Sequence, residues 1–209
     1  MSVVVDLSVP LRPGAEVEAR LHERLPVYLG HECHAYDLLI RSHAGTYFET
    51  AAHVLRGAPD TDGVPLEDLV RPAVCVDVRP SQGREISAAD LASARPAPRK
   101  GEALLVHTGS PSPPPGEHVY FSRDAAAWMA DAGVVLFGSD TPRYDSGFES
   151  PTGFFVELFG RGIPIVANLR RLGEIAGRHF RLLVMPIRVP GVCTVPARVA
   201  ALLEDDPAP

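Results

Sequence analysis

Two histidines, a carboxylate and a phenol lie close together in the sequence, at His43, Tyr47, Glu49 and His53. On an α-helix, residues four positions apart share a face, and both His43 with Tyr47 and Glu49 with His53 have that spacing. Such groups can transfer protons near neutral pH, and histidine and carboxylate side chains also bind divalent metal ions. The spacing therefore predicts one site for acid–base or metal chemistry.

The segments around this set predict how its members are positioned. Residues 36–41 are typical of a strand, and Gly45 favours a tight turn because glycine tolerates positive φ. A helix is then expected from Thr46 until about Gly57, a residue type that favours helix C-termini. The four polar side chains would in this way surround one small volume.

Four further residues are predicted to bind substrate. His107 ends an apolar strand over residues 103–108 and Asp140 follows another over 134–137, and ligands of α/β sheets collect at such strand ends. His107 either lines the pocket or packs at the strand end, and Asp140 either contacts substrate or caps the following turn. Arg143 is suited to binding a carboxylate. Phe155 would make the pocket apolar or simply belong to the core.

The sequence resembles the cyclase family, which includes bacterial kynurenine formamidases and isatin hydrolases. The family pattern H-x-G-T-H-x-D-x-P-x-H is matched at His43, Gly45, Thr46 and His53. Similar segments follow in the family's order at residues 6–8, 138–142, 162–169 and 195–198. The resemblance implies the family's α/β, swivelling β/β/α architecture, with a central, partly barrel-like β-core flanked by helices. A single domain is expected over residues 1–209.

The departures from the family pattern fall on metal ligands. Metal-dependent members bind one ion through the first two histidines and the aspartate of the pattern, and a second ion through a later histidine and glutamate. Here Tyr47 replaces the second histidine, and Glu49 replaces the aspartate. Ala167 replaces the later glutamate, and residues 154–156 are Phe-Phe-Val where the later histidine belongs. The resemblance therefore implies a degenerate metal site, and we expect no metal cofactor.

Three functions remain open at this stage. The preferred one is a metal-independent enzyme for cyclisation, dehydration or hydrolysis of a small organic substrate, with a secondary metabolite as the expected class. In it His53 is the general base or acid, Glu49 orients His53, and His43 and Tyr47 donate hydrogen bonds. The second is a hydrolase of a small amide or lactam that binds one zinc or manganese ion through His43 and Glu49. The third is a non-catalytic ligand-binding protein.

Composition limits the partners and the location. A net charge of −6 and a pI near 5.7 argue against nucleic acid and anionic membranes as partners. No segment approaches the roughly 18 consecutive apolar residues of a membrane span. Three cysteines without a CxxC pair make a cytoplasmic location the default, and Cys193 is expected to be a small buried residue. The expected partners are a small-molecule substrate and, by resemblance, further copies in a homodimer or homotetramer.

Overall fold

The computed structural model describes residues 3–22, 27–81, 83–109, 117–147 and 149–203. Within these ranges, two 3-10 turns accompany the regular elements, at Ala51–His53 and Leu172–Glu174. The strands and helices are, in chain order, β1 (Val3–Asp6), β2 (Val17–Leu21), β3 (Tyr36–Ile40), β4 (Tyr47–Glu49), α1 (Leu66–Leu69), β5 (Val70–Asp77), β6 (Glu85–Ile86), α2 (Ala88–Ser93), β7 (Ala103–His107), β8 (Tyr120–Phe121), α3 (Arg123–Asp131), β9 (Leu136–Ser139), α4 (Phe154–Gly160), β10 (Ile165–Ala167), β11 (Arg178–Pro186) and β12 (Thr194–Leu203).

Within the described residues, an eight-stranded sheet closes on itself. Its order is β1-β12-β11-β5-β7-β9-β10-β4, and β12 also pairs with β4. Seven strands therefore form a closed ring, and β1 pairs with residues 200–203 of β12, beyond the residues of β12 that pair with β4. The strands β5, β7, β9 and β10 run parallel, whereas β4, β11 and β12 are antiparallel to their neighbours in the ring. This confirms the predicted α/β fold with a barrel-like core.

Apolar side chains cover both faces of the parallel strands. Successive residues of a strand point to opposite faces, so Leu104 and Val106 belong to one buried cluster and Leu105 belongs to the other. The helices α2, α3 and α4 pack on the first cluster through Leu91, Met129 and other residues. Burial on both faces explains why these strands form continuous apolar runs in the sequence. None of the helices in the described ranges has the length and apolar character needed to cross a membrane.

The helix predicted from Thr46 is wrong. The segment instead forms the short strand β4, which is followed by Thr50 in an extended conformation and by the 3-10 turn at Ala51–His53. The physical reason is long-range pairing, because Phe48 lies opposite Val166 of β10 on one side and opposite Val195 of β12 on the other. Backbone groups that bond to two neighbouring strands cannot also form helical hydrogen bonds.

Thr46 fixes the turn that leads from His43 into β4. Its hydroxyl donates to the carbonyl of Asn168 at 2.8 Å and accepts from the backbone N–H of Val9 at 2.9 Å. The side-chain amide of Asn168 donates to the carbonyl of Gly45 at 2.8 Å. Gly45 has a φ of +60°, and a Cβ there would lie 2.7 Å from a methyl group of Leu11. The turn therefore requires glycine, and Thr46 joins it to two other segments.

We expect Thr46→Val to lower the free energy of unfolding by about 1–3 kcal/mol, because the isosteric side chain removes the partner of part-buried backbone groups of Val9 and Asn168. Urea unfolding followed by circular dichroism measures this change. The control is Thr46→Ser, which keeps the hydroxyl and should lose less stability than the valine variant. Equal losses in the two variants would contradict the assigned role of the hydroxyl.

Candidate metal centre

Three side chains of types that can bind metal ions converge at the end of β4. His43 Nε2 lies 3.0 Å from Glu49 Oε2, and His53 Nδ1 lies 4.0 Å from the same oxygen. One ligand atom from each residue lies within 4.8 Å of the other two. The two imidazole rings have centroids 5.3 Å apart. Three such ligands around one point are what a catalytic zinc site contains, together with an open position.

A strand and a turn, rather than a helix, bring these residues together. Glu49 is the last residue of β4, and alternation along the strand places it on the same face as Tyr47, with Phe48 on the other face. The 3-10 turn then returns His53 towards Glu49, and the backbone N–H of His53 donates to the carbonyl of Thr50 at 3.1 Å. The sequence correctly predicted which residues meet, although it predicted the wrong backbone conformation.

Two neighbouring hydroxyl groups orient the cluster. Thr194 lies opposite Glu49 in the β4–β12 pair, and its hydroxyl donates to Glu49 Oε2 at 3.1 Å. The hydroxyl oxygen of Ser42 lies 2.9 Å from His43 Nδ1. Contacts of this kind fix the orientation of metal ligands. Sequence reasoning missed Thr194, and no local pattern could have found it because 145 residues separate it from Glu49.

The electrostatic environment of the cluster fits a cation. Burial raises the pKa of Glu49 to about 7, and the hydrogen bond from Thr194 opposes that shift. Burial also lowers the pKa of His43 and of His53, which favours neutral imidazole, the form that binds metals. Glu49 is only 2% exposed and lies between two rings whose neutral forms are favoured, so these rings add little positive charge to compensate its carboxylate. A divalent ion would supply that charge, so these residues fit such an ion.

Tyr47 lies beside the cluster as a neutral phenol. Its ring centroid is 5.0 Å from that of His43. Burial raises the pKa of Tyr47, and the negative charge of Glu49 raises it further, while the positive charge of Arg143 opposes the shift. The phenol therefore keeps its proton at neutral pH and can donate a hydrogen bond, but it does not present the phenolate that metal binding would need.

Phe155 shares an apolar cluster with Tyr47, and Arg143 acts on Tyr47 through its charge. Tyr47 and Phe155 both pack against the apolar cluster that holds α3 and α4. The positive charge of Arg143 opposes the rise in the pKa of Tyr47. Ala167 is the strand partner of Tyr47 and is 1% exposed, so the position of the family's glutamate is here part of the apolar core. The predicted contacts of Phe155 and Arg143 with substrate remain predictions.

His107 and Asp140 form a second polar cluster at the carboxyl ends of β5, β7 and β9. His107 Nδ1 lies 3.1 Å from a carboxylate oxygen of Asp77, and His107 Nε2 lies 3.7 Å from Asp140 Oδ2. Asp140 accepts hydrogen bonds at 2.8 Å from both the backbone N–H and the hydroxyl of Thr108. Asp140 thus fixes the segment after β7 rather than capping its own turn. The predicted substrate contacts of both residues remain predictions.

Comparisons with known proteins agree with this fold and site. A Cyclase family model matches residues 5–146. The kynurenine formamidase of Salinibacter ruber is 33% identical over 181 residues, which cover 83% of this chain and 81% of that protein. The kynurenine formamidase of Bordetella petrii is 25% identical over 177 residues, which cover 78% of this chain and 77% of that protein.

Solved structures are similar over nearly the whole chain. Isatin hydrolase A from Labrenzia aggregata, bound to benzyl benzoate, has a TM-score of 0.82 at 17% identity. The match covers 98% of this chain and 94% of that one. A Bacillus stearothermophilus protein described as a predicted metal-dependent hydrolase has a TM-score of 0.79 at 21% identity, with coverage of 97% of this chain and 98% of that one. At these identities the likeness shows the fold.

The expectation that the protein has no metal cofactor is wrong. Proteins of the same fold are described as metal-dependent hydrolases, and His43, Glu49 and His53 bring three ligand atoms together. The physical reason is that His53 turns back towards Glu49 and offers the nitrogen that Tyr47 cannot offer. The ligand pair considered from sequence, His43 and Glu49, therefore becomes a set of three.

We expect the wild-type chain to bind about one divalent ion, and Glu49→Gln to weaken that binding at least about 10–100-fold, because a neutral amide replaces the charged ligand. Calorimetric titration of chelator-treated protein with zinc measures the affinity, and elemental analysis measures the stoichiometry. The matched control is Glu102→Gln, since Glu102 is also buried and also lies beside a histidine, His179, at 3.1 Å. Equal zinc affinity in the wild type and Glu49→Gln would contradict the centre.

Proposed function

The chain belongs to the cyclase family, and on this premise we propose that it is a metal-dependent hydrolase that opens the C–N bond of a small amide or lactam. The observation that carries the proposal is the buried Glu49 carboxylate between His43 and His53, a set that fits one divalent ion. The names of the similar proteins support the substrate class, since one refers to a formamide and the other to isatin, a lactam.

A divalent ion held by His43, Glu49 and His53 would polarise a carbonyl group and acidify water at neutral pH. The protein's own part is to fix the three ligands. Thr194 holds the Glu49 carboxylate through a hydrogen bond of 3.1 Å, and Ser42 lies against the far nitrogen of His43 at 2.9 Å. The side chains of His43 and His53 remain partly open to solvent, which leaves a route for substrate.

Tyr47 is placed to stabilise charge that develops on the substrate. Its phenol keeps its proton, because burial and the nearby Glu49 carboxylate both raise its pKa. We assign it the donation of a hydrogen bond to the substrate carbonyl oxygen, which gains negative charge when the carbon is attacked. Arg143 adds positive charge on the same side, and Phe155 offers an apolar surface to an aryl group of the substrate.

One ion rather than two is the stoichiometry we assign. The family's second ion needs a glutamate where Ala167 stands, and Ala167 packs opposite Tyr47 in the apolar core. Phe154 is fully buried in the same core, at the start of the segment where the later histidine belongs. Neither side chain can bind a metal, so the hydrolytic chemistry depends on the single centre at the end of β4.

The function is tested by assaying hydrolysis of an N-formyl arylamine and of isatin. We expect turnover to disappear with chelator and to return when zinc or manganese is added.

Tyr47→Phe should keep the metal but lower kcat by about 10²-fold, since one charge-stabilising donor is lost. Tyr28→Phe, which changes an exposed tyrosine outside the strands β2 and β3, is the control. Full turnover by metal-free protein would contradict the proposal. If the N-formyl arylamine or isatin raised the melting temperature of the protein without forming product, a non-catalytic binding protein would be favoured.

We also propose that the enzyme works as a homo-oligomer that covers the hairpin of β2 and β3. These two strands pair with each other in a separate two-stranded sheet. The hairpin exposes several large apolar side chains, namely Leu21, Tyr36, Leu38 and Leu39. Leu38 and Leu39 are adjacent, so they point to opposite faces and both faces are apolar. Two strands alone are marginally stable in water, and a second copy would bury them.

Replacing Leu38 and Leu39 together by Asp should convert the oligomer to monomers, because the charges would have to be desolvated at the contact. Size-exclusion chromatography with light scattering measures the mass. Glu18→Gln, on the strand opposite Leu39, is the control and should leave the mass unchanged. A wild-type protein that is monomeric at micromolar concentration would contradict the proposal.

A further inference from the structure

We propose that Cys193 is a fourth ligand of the metal centre and that its thiolate makes the centre prefer zinc to manganese. This rests on the proposed function, because it takes a divalent ion bound by the three ligands as given. Cys193 is half-buried, immediately before β12, and its Sγ lies 3.9 Å from His53 Nδ1. The same nitrogen lies 4.0 Å from Glu49 Oε2.

The distance between the Cys193 sulfur and His53 Nδ1 suits two ligands of one ion. Zinc lies at about 2.3 Å from sulfur and about 2.0–2.1 Å from nitrogen, so at tetrahedral angles the two ligand atoms are separated by about 3.5 Å. The observed separation of Sγ from His53 Nδ1 exceeds that value by only a few tenths of an ångström. Rotation about the Cα–Cβ bond of Cys193 moves the sulfur between staggered positions without moving the backbone. The thiol can therefore reach an ion that His53 binds.

The backbone of Cys193 is fixed beside the centre. Its carbonyl accepts from the backbone N–H of Thr50 at 2.9 Å and from the hydroxyl of Thr50 at 3.3 Å. Thr50 directly follows the ligand Glu49, and Thr194 directly follows Cys193. The hydroxyl of Thr194 lies 3.1 Å from Glu49 Oε2 and 3.6 Å from the Cys193 sulfur. The contacts that orient Glu49 thus also hold the cysteine in place.

A thiolate ligand would add negative charge to the centre and favour zinc over manganese. Glu49 supplies one negative charge, and a thiolate supplies the second charge that neutralises a divalent ion. Ligation releases the thiol proton to solvent. Thiolate is a soft ligand that suits zinc, whereas manganese is bound mainly by oxygen ligands. Zinc in catalytic sites can expand to five ligands, so a fourth protein ligand leaves room for substrate.

The test is cobalt(II) substitution of the full-length wild type, Cys193→Ser and Cys33→Ser. A thiolate ligand gives a sulfur-to-cobalt charge-transfer band in the near ultraviolet. We expect this band in the wild type and in Cys33→Ser, whose cysteine is exposed, and its loss in Cys193→Ser. Cys193→Ser should still bind cobalt through the other three ligands. Its zinc affinity should fall at least about 10–100-fold and its manganese affinity much less, so the zinc-to-manganese ratio falls.

A second measurement needs no variant. Zinc should protect Cys193 of the wild type from alkylation by iodoacetamide while Cys33 reacts at an unchanged rate, as peptide mass spectrometry would show. Cobalt binding without the charge-transfer band, a band that persists in Cys193→Ser, or unprotected Cys193 would each overturn the thiolate ligand and leave the three-ligand centre intact. Failure of the wild type to bind any divalent ion would overturn both this inference and the proposed function.

Discussion

The closure of the barrel by β4 is the constraint on which the site depends. This three-residue strand bonds to β10 on one side and to β12 on the other, so its backbone has almost no freedom. Glu49 is its last residue and is buried, whereas His43 precedes the strand and His53 follows it. One short segment that completes the ring therefore delivers all three ligand side chains to one point.

Burial of Glu49 has an energetic cost that explains the composition of its surroundings. Moving a carboxylate out of water costs several kcal/mol unless an opposite charge and hydrogen bonds compensate. Thr194 supplies one hydrogen bond, and the two histidines are favoured in their neutral forms, so the protein itself compensates only part of the cost. A cation in the centre would supply the remainder, which couples metal binding to the stability of β4 and thus to closure of the barrel.

The sequence predicted the parts of the fold that local physics determines. The apolar runs at 103–108 and 134–137 became β7 and β9, shifted by no more than two residues, because parallel strands buried on both faces need apolar residues throughout. The backbone of residues 46–53 was not predictable in this way. Its i, i+4 spacings suit a helix, and only strands far along the chain, β10 and β12, make it a strand. The contacts of Thr194 with Glu49 and of Cys193 with His53 were not predictable for the same reason, since about 140 residues separate the partners.

The departures from the family pattern take on a different meaning once the geometry is known. In sequence, the change from histidine to Tyr47 reads as the loss of a ligand. In space, His53 Nδ1 lies 4.0 Å from the same carboxylate, and the Cys193 sulfur lies 3.9 Å from that nitrogen, so a turn or the start of a neighbouring strand can offer a replacement donor. At the positions that the family resemblance assigns to a second ion, Ala167 and Phe154 are packed into the apolar core. A sequence motif therefore identifies all the ligands of a site only where no donor from another part of the chain can reach that site.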